Sequence, residues 1–528
     1  MEGGPPGSNH YTGAGGPSSQ GISGALGRGP QAAQAINTFN TFWIYLVPLF
    51  GAYLADERWG RYKTICVSIG IAIVGHIILV ISSIPPVIIN EKACYAVFML
   101  GLIVMGLGTG GFKPNISPLV VEQIPLKTII VKQLPSGESV IVDPTITQSR
   151  VYHYFYLFIN LGALIGQIGM VYAEKYVGFW LSFLLPTLVF LLTPAVMFWG
   201  RKRYQQKPPS GSVVSKAVKT LFFACKGRWS INPVRFYKNT HDGTFWPSVK
   251  PSNIPTEQRP KWMTFDDAWV EEVRRGYKAC AVFCLYPIYW LAYGQLTSNF
   301  TQQAATMTLN GVPNDVVNNL NPLTLVIFIP ICDLLLYPGL RRLGFQFTAL
   351  KKIIVGFWLA AAAMVWAAVV QYYIYKTSPC GYQANDCYDA DENFLPSPLN
   401  VWIQTGCYVL VAFSEIFASI TSLEYAFSKA PRSMRSLVQA IALLTNAVSA
   451  AIAQALNPLS GDPLLIWNYG VFAVIAFIGG FLYLWLFRDL DREEDQLNML
   501  PEGHVVAIKD VEDSRAQSPE PYTIHEKC

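Results

Sequence analysis

Apolar residues in this chain come in blocks rather than along one helical face or in strand-like alternation. Five blocks, at about 38–55, 64–84, 93–121, 151–173 and 178–200, are each long enough to cross a hydrocarbon core, which takes on the order of 20 helical residues. Six more follow at about 277–298, 319–338, 350–374, 400–428, 434–457 and 467–488. Between the two series lies a polar stretch, 201–276, rich in Pro, Ser, Lys and Arg. The pattern predicts an all-α polytopic membrane protein with eleven transmembrane helices, grouped as bundles of five (38–200) and six (277–488) around a cytoplasmic linker. Residues 1–37 are Gly-, Pro- and Ser-rich with no apolar core of a signal peptide. The charged tail, 489–528, is expected to be disordered and cytoplasmic.

Charge orients this pattern. Lys and Arg favour the cytoplasmic side. If residues 1–37 face outward, the outer segments hold only Arg28, Lys92, Lys175 and Lys376, Lys113 falls inside the membrane, and the other 34 of the 39 basic residues lie inside the cell. Composition agrees: 52% hydrophobic, 14% charged and a mean hydropathy of +0.31 exclude a soluble protein of this length. No catalytic or metal-spaced constellation appears among the six histidines and ten cysteines, so neither an enzyme nor a cofactor is expected, and no nucleic-acid partner. Cys380 and Cys387 share an acidic outer loop, where they either form a short-loop disulfide or remain free. Asn299-Phe300-Thr301 is a formal glycosylation sequon, expected to lie too close to the membrane for use.

Within the apolar blocks, the few charges carry the information. GLGTGGFKPNISP (Gly106 to Pro118) contains a formal GxGxxG, but no strand precedes it, and the glycines read better as helix packing: Gly106 and Gly110 lie four apart on one face, where a neighbouring backbone can approach. Lys113 follows within the same block. An intramembrane ammonium either faces a partner or watery cavity, or snorkels to the interface. Pro114 removes one backbone hydrogen bond there, which membrane helices tolerate beside a cavity or neighbour. Glu415 lies mid-block, about fourteen residues from either end and too deep to snorkel; it is either functional or a protonated, hydrogen-bonded core acid. Glu424 and Asp333, nearer the inner ends, fit a salt-bridged role equally well. One series thus carries a buried cation and the other a buried anion, and a zwitterion would fit between them.

Four stretches resemble the signatures of the proton-dependent oligopeptide transporter family, specifically its fungal branch. FGAYLADERWGRYKTI (Phe50 to Ile65) is similar to the signature after the family's second helix, and GTGGFKPNISP to the one on its fourth. FYLFINLGALIG (Phe155 to Gly166) resembles the fifth-helix motif and SEIFASITSLEYAFSKAP (Ser414 to Pro431) the tenth-helix motif. The resemblance implies the major facilitator fold, with two bundles around a central cavity that opens alternately to either side, and proton-coupled symport of di- and tripeptides across the plasma membrane. It also implies roles for single residues: Lys113 in proton coupling and at the peptide carboxylate, Asn160 and Tyr45 in binding, Trp290 and Asn321 in the pocket of the second bundle, Glu415 at the peptide amino terminus. Asp56, Gly60 and Arg61 would serve a conformational switch at the inner loop. The plainer alternatives are packing or interfacial aromatics for Tyr45 and Trp290, and helix–helix hydrogen bonding for Asn160 and Asn321.

The family pattern begins with a helix bearing an ExxER motif, which this sequence as given does not contain; it opens inside what resembles the loop joining the first two helices. Two expectations follow: a symporter whose sequence lacks its opening segment, or a non-transporting short form acting as a binding or regulatory membrane protein. Without that helix Lys113 would lose its nearest expected counter-charge, and a buried unpaired cation tends to deprotonate. Nitrate or another small nitrogenous solute is an alternative substrate, although a buried Glu415 carboxylate would repel an anion.

Overall fold

The computed structural model describes residues 8–15, 23–124, 130–133, 137, 139–142, 144–206, 213–230, 232–240, 242–344, 347–391, 393–422 and 435–488. In the first series, α1 (Gly29–Leu54) runs on as a π-helical turn, Ala55–Trp59, followed by α2 (Arg61–Ser83), α3 (Glu91–Glu122), α4 (Pro144–Tyr176) and α5 (Phe179–Phe190), which resumes as Thr193–Gly200. The second series comprises α6, the helical stretch Asp267–Ala305, then α7 (Leu320–Ile331) and α8 (Ala349–Thr377). It continues with α9 (Thr405–Ser414, extended by the π turn Glu415–Ile420), α10 (Arg435–Ala455) and α11 (Leu465–Phe487). Nine helical stretches among the described residues are long and apolar enough to cross a membrane. The blocks at 151–173 and 434–457 are helical too, within α4 and α10, and that at 400–428 is described as far as Ser422. Phe198, Leu334, Trp467 and Trp485 are exposed, an outward-facing apolar surface that suits lipid and not water.

Small residues set the packing of the first series. A side chain at Gly106 would strike the Trp43 ring and one at Gly110 the Val47 side chain, so the expected four-residue face meets α1. Gly108 and Gly111 face the other way, against Ala72 and Ser68 of α2. α3 is therefore held between two helices at backbone distance: a Cβ on Gly51 of α1 would stand 2.6 Å from the Gly111 Cα. Pro114 has no N–H for the Gly110 carbonyl, yet the helix is unbroken there. Next to it the buried Asn115 amide donates to the carbonyls of Gly111 (2.9 Å) and Gly51 (3.3 Å), fastening α1 to α3.

The second series has a larger core, with Phe283, Tyr286, Tyr289, Phe300, Phe357, Tyr408, Tyr469 and Tyr483 fully buried. A buried amide chain runs through it: Gln404 donates to Gln303, and Gln303 to Gln371, both at 2.8 Å. Polar groups this deep are stable only when paired, and their directionality fixes helix register. Asn299 is wholly buried and bonded to Gln295, Ser460 and Asn468, so the sequon is inaccessible because it lies inside the bundle. Cys380 and Cys387 form a disulfide.

The polar stretch between the series is folded. It contains helices at Val213–Cys225 and Pro233–Thr240, and the first contributes Ala217 and Ala224 to a small core with Val249, Phe265, Trp269, Val270 and Val273. Asp266 caps α6 by accepting from the Trp269 N–H (2.8 Å), and Ile441 of α10 packs on the same core. The two series meet along α1 and α10 and along α4 and α7. Their loop-proximal ends are tied by Asn37 donating to the Thr297 carbonyl (2.9 Å), Asn457 to Gln31 (3.2 Å) and Lys175 to Gly311 (2.7 Å). Residues 8–15 join this end, since the Phe179 N–H donates to the Thr12 carbonyl and the Gly15 N–H to that of Lys175.

Candidate functional site

The glycine seam brings α1 and α3 close enough for Tyr45 to lie against Lys113. The ammonium stands 4.0 Å from the ring centroid, in cation–π geometry, and the lysine is half-buried. Such a contact contributes about 0.5–2 kcal/mol depending on desolvation. It holds the charge in place without neutralising it, which leaves the ammonium able to attract an anion. Asn160, on α4, is buried.

In the second series Glu415 is 7% exposed and begins the π-helical turn of α9. Single π turns are common at functional sites because the widened turn redirects a side chain. Neighbours hold this one: Ser414 Oγ donates to the Gly356 carbonyl of α8 (2.8 Å), and the Tyr286 hydroxyl donates to the Ala418 carbonyl (3.0 Å). A Cβ on Gly356 would lie 2.6 Å from that of Ala418, so the absence of a side chain there lets the turn seat against α8. Asn321 of α7 donates its amide to Glu415 Oε2 at 3.3 Å. The amide carries no charge, so it orients the carboxylate without itself neutralising it.

Trp290 sits on α6 among Tyr286, Tyr289 and Tyr293, and its indole N–H donates to Thr445 Oγ1 of α10 (3.0 Å). With that donor occupied, what Trp290 can offer a ligand is its ring.

At the far end of α1, Gly60 adopts φ 75°, a region that favours glycine, and its carbonyl accepts from Thr64 in the first turn of α2. Arg61 opens α2 directly after it. The Asp56 side chain lies outside the described residues, as do Glu424 and the side chain of Asp333.

Of the residues singled out from sequence, the structure therefore joins Tyr45 to Lys113 and Asn321 to Glu415. Asn160 and Asn321 lie on α4 and α7, which pack together across the two series. Sequence reasoning missed Tyr286 and Thr445, which position Glu415 and Trp290 respectively. The spacing of Tyr286, Tyr289 and Tyr293 along one helical face was the available signal for the first; nothing marked Thr445.

The profile described as PTR2, POT family, matches residues 62–470. Among curated relatives, "Peptide transporter PTR_B" of Candidozyma auris is 41% identical over 481 residues, 91% of this chain and 79% of the relative. "Peptide transporter PTR2" of Saccharomyces cerevisiae is 39% identical over 480 residues, covering 90% and 75%. Among solved structures, an "auto inhibited POT family peptide transporter" superposes with a TM-score of 0.66 at 22% identity, covering 87% of this chain and 88% of that one. The last likeness speaks for the fold alone; the fungal relatives and the profile match go further. The match over residues 62–470 and the fungal relatives at 41% and 39% identity, on a scaffold of this shape, place the chain in the POT family of multi-pass membrane transporters, within its fungal branch and with the major facilitator fold.

Proposed function

We propose that the protein carries di- and tripeptides inward across the plasma membrane together with protons, by alternating exposure of a cavity between the bundles 38–200 and 277–488. The observation that carries this reading is the pairing of opposite charges in opposite bundles: Lys113 over Tyr45, and Glu415 beside Asn321. A peptide is a zwitterion whose two charges are separated by its own backbone. Glu415 takes the amino terminus and Lys113 the carboxylate, so a bound peptide draws the bundles together. Asn160 and Asn321 offer amide groups to the peptide backbone, while Tyr45 and the Trp290 ring line the pocket. Recognition through termini and backbone, with few polar contacts, tolerates many side chains. An anionic solute such as nitrate is disfavoured by Glu415.

Lys113 couples the proton, since its charge state decides whether the carboxylate end is held. Asp56, Gly60 and Arg61 form the hinge at the inner loop, where a glycine with positive φ changes direction between α1 and α2. The linker 201–276 and tail 489–528 face the cytoplasm, and residues 1–37 face outward. The test is uptake of a labelled dipeptide by cells expressing the protein: it should rise as external pH falls and collapse when a protonophore removes the gradient. Uptake indifferent to both would defeat the proposal.

A further inference from the structure

The closed contact between the bundles contains two acids that the peptide site does not use. Glu174 lies in the last turn of α4, and Asp315 in the first turn of the 3-10 segment Asn314–Asn319 that leads into α7. The two elements pack against each other, and the residue next to Glu174, Lys175, donates to the carbonyl of Gly311, four positions before Asp315. Glu174 feels the charge of Asp315 directly and bonds to Ser23, in the segment leading to α1. Each acid is half-buried. They belong to opposite bundles.

Among the described residues, α3, which also packs on α4, carries Glu91 and Lys92 at this end, and Arg28, five positions after Ser23, lies 5.6 Å over the Tyr95 ring of α3. α4 supplies Lys175, whose ammonium is turned to the Gly311 carbonyl. α9 supplies Tyr408, whose hydroxyl donates to Asn318 (2.6 Å) in the same 3-10 segment. Residues 8–15, a turn bonded to the end of α4, bring His10 and Tyr11. The helix Asn299–Ala305, the turn Val401–Gln404 and α7, which also pack on the segment, contain no charged residue. Half-buried carboxyls on two elements that pack together are each disfavoured as anions, and ionising one raises the cost of ionising the other.

We propose that Glu174 and Asp315 together hold one proton drawn from the outer side, and that this proton seals the outer contact between the bundles. The proton belongs mainly to Glu174, because the negative pole at the end of α4 disfavours a carboxylate there, whereas burial raises Asp315 only to about 6. Burial and the negative charge of Asp315 push Glu174 up to about 8. The pair titrates as a unit, so the proton is shared property even where one site dominates.

The sign of the linkage follows. When the bundles part on the outer side, each acid regains water and loses its neighbour, and its proton affinity falls toward that of an ordinary carboxylate. The closed contact thus binds more protons than the open one. Lowering the outer pH from about 8 favours closure, and the effect ends near the ordinary carboxylate range, where both states are protonated. Because this proton enters and leaves on the same side, it shifts the closing equilibrium and adds nothing to the driving force. It is separate from coupling at Lys113 and rests on the transporter reading only in requiring two bundles that move.

The test uses the whole protein in lipid nanodiscs, with genetically encoded spin-labelled residues at Val177 and Leu464 in opposite bundles at the outer end. Pulsed distance measurements should show the ratio of close to distant populations rising at least tenfold from pH 8.5 to 5.5. Glu174→Gln should lose more than half of that pH response while still folding, Glu174→Asp should keep it, and His10→Gln should leave it unchanged. A flat response in the wild type, or Glu174→Gln retaining more than half, overturns the proposal. No peptide is needed, so the outcome is independent of uptake: a pH-sensitive contact without proton-driven uptake would remove only the peptide-transport reading.

Discussion

Replacing Gly108 by alanine tests the glycine face that holds α3 against α2. A Cβ at Gly108 would lie 2.5 Å from the Ala72 nitrogen, 2.6 Å from its Cβ and 2.7 Å from its Cα. Comfortable carbon contacts are about 3.5–4.0 Å, so α2 and α3 must separate by roughly 1 Å. No flexible side-chain tip can swing aside, because the obstructing atoms are backbone and β-carbon. Forcing one methyl into such a contact costs about 1–3 kcal/mol, against a gain of up to about 1 kcal/mol in helix propensity. Gly70 of α2 is the internal control, since nothing lies within 4 Å of a Cβ there. Gly70→Ala should keep only the propensity gain. In detergent-solubilised protein followed by intrinsic fluorescence, Gly108→Ala should lower the apparent unfolding midpoint by roughly 2–4 °C or more, and Gly70→Ala should leave it unchanged or raise it. Equal midpoints would refute the claim that backbone approach holds α2 to α3.

Lys113→Ala should reduce proton-driven dipeptide uptake at least about tenfold, with a smaller loss from Tyr45→Leu, which keeps the charge and removes only a cation–π contact of about 0.5–2 kcal/mol. Accessible tags should be labelled from outside the cell when placed in the 376–398 loop and from inside when placed in the 201–276 linker; labelling of both from one side would contradict the topology. Arg228 bridges Asp242 and the Asn239 carbonyl, each at 2.7 Å, and reaches Thr244 at 2.8 Å, so Arg228→Ala should loosen the folded linker by about 1 kcal/mol and speed its proteolysis. Thiol labelling of the denatured protein should modify Cys380 and Cys387 only after reduction.

Much of this architecture was legible in the chain because lipid simplifies the problem. Apolar blocks must become helices when no water can satisfy the backbone, and every block is indeed helical where it is described. The four-residue spacing of Gly106 and Gly110 predicted a packing face, found against Trp43 and Val47. The opposite face, Gly108 and Gly111 against α2, was not foreseen, since spacing alone does not say that a helix is approached from two sides. Lys113 and Glu415 stood out because intramembrane charges are rare. Their partners did not: the π turn at Glu415 and the Thr445 bond to Trp290 depend on long-range packing that leaves no local pattern. The folded linker escaped notice for a similar reason, as its core residues are scattered among prolines and charges. Glu174 and Asp315, 141 positions apart in sequence, come to the same contact only because α4 and the approach to α7 meet.

The central claim is that Glu415 receives the amino terminus of the peptide, and its most direct test is a binding cycle. Affinities of dialanine and N-acetyl-dialanine would be measured on the purified protein and on Glu415→Gln, at one pH and with no gradient. Losing one partner of a desolvated charge pair costs about 2–5 kcal/mol, so acetylation should weaken binding to the wild type at least about thirtyfold. In Glu415→Gln the carboxylate is already gone, and acetylation should then change affinity by no more than about threefold, which is the signature of two groups acting on each other. An acetylation penalty of the same size in both proteins would place the amino terminus elsewhere and contradict the assignment.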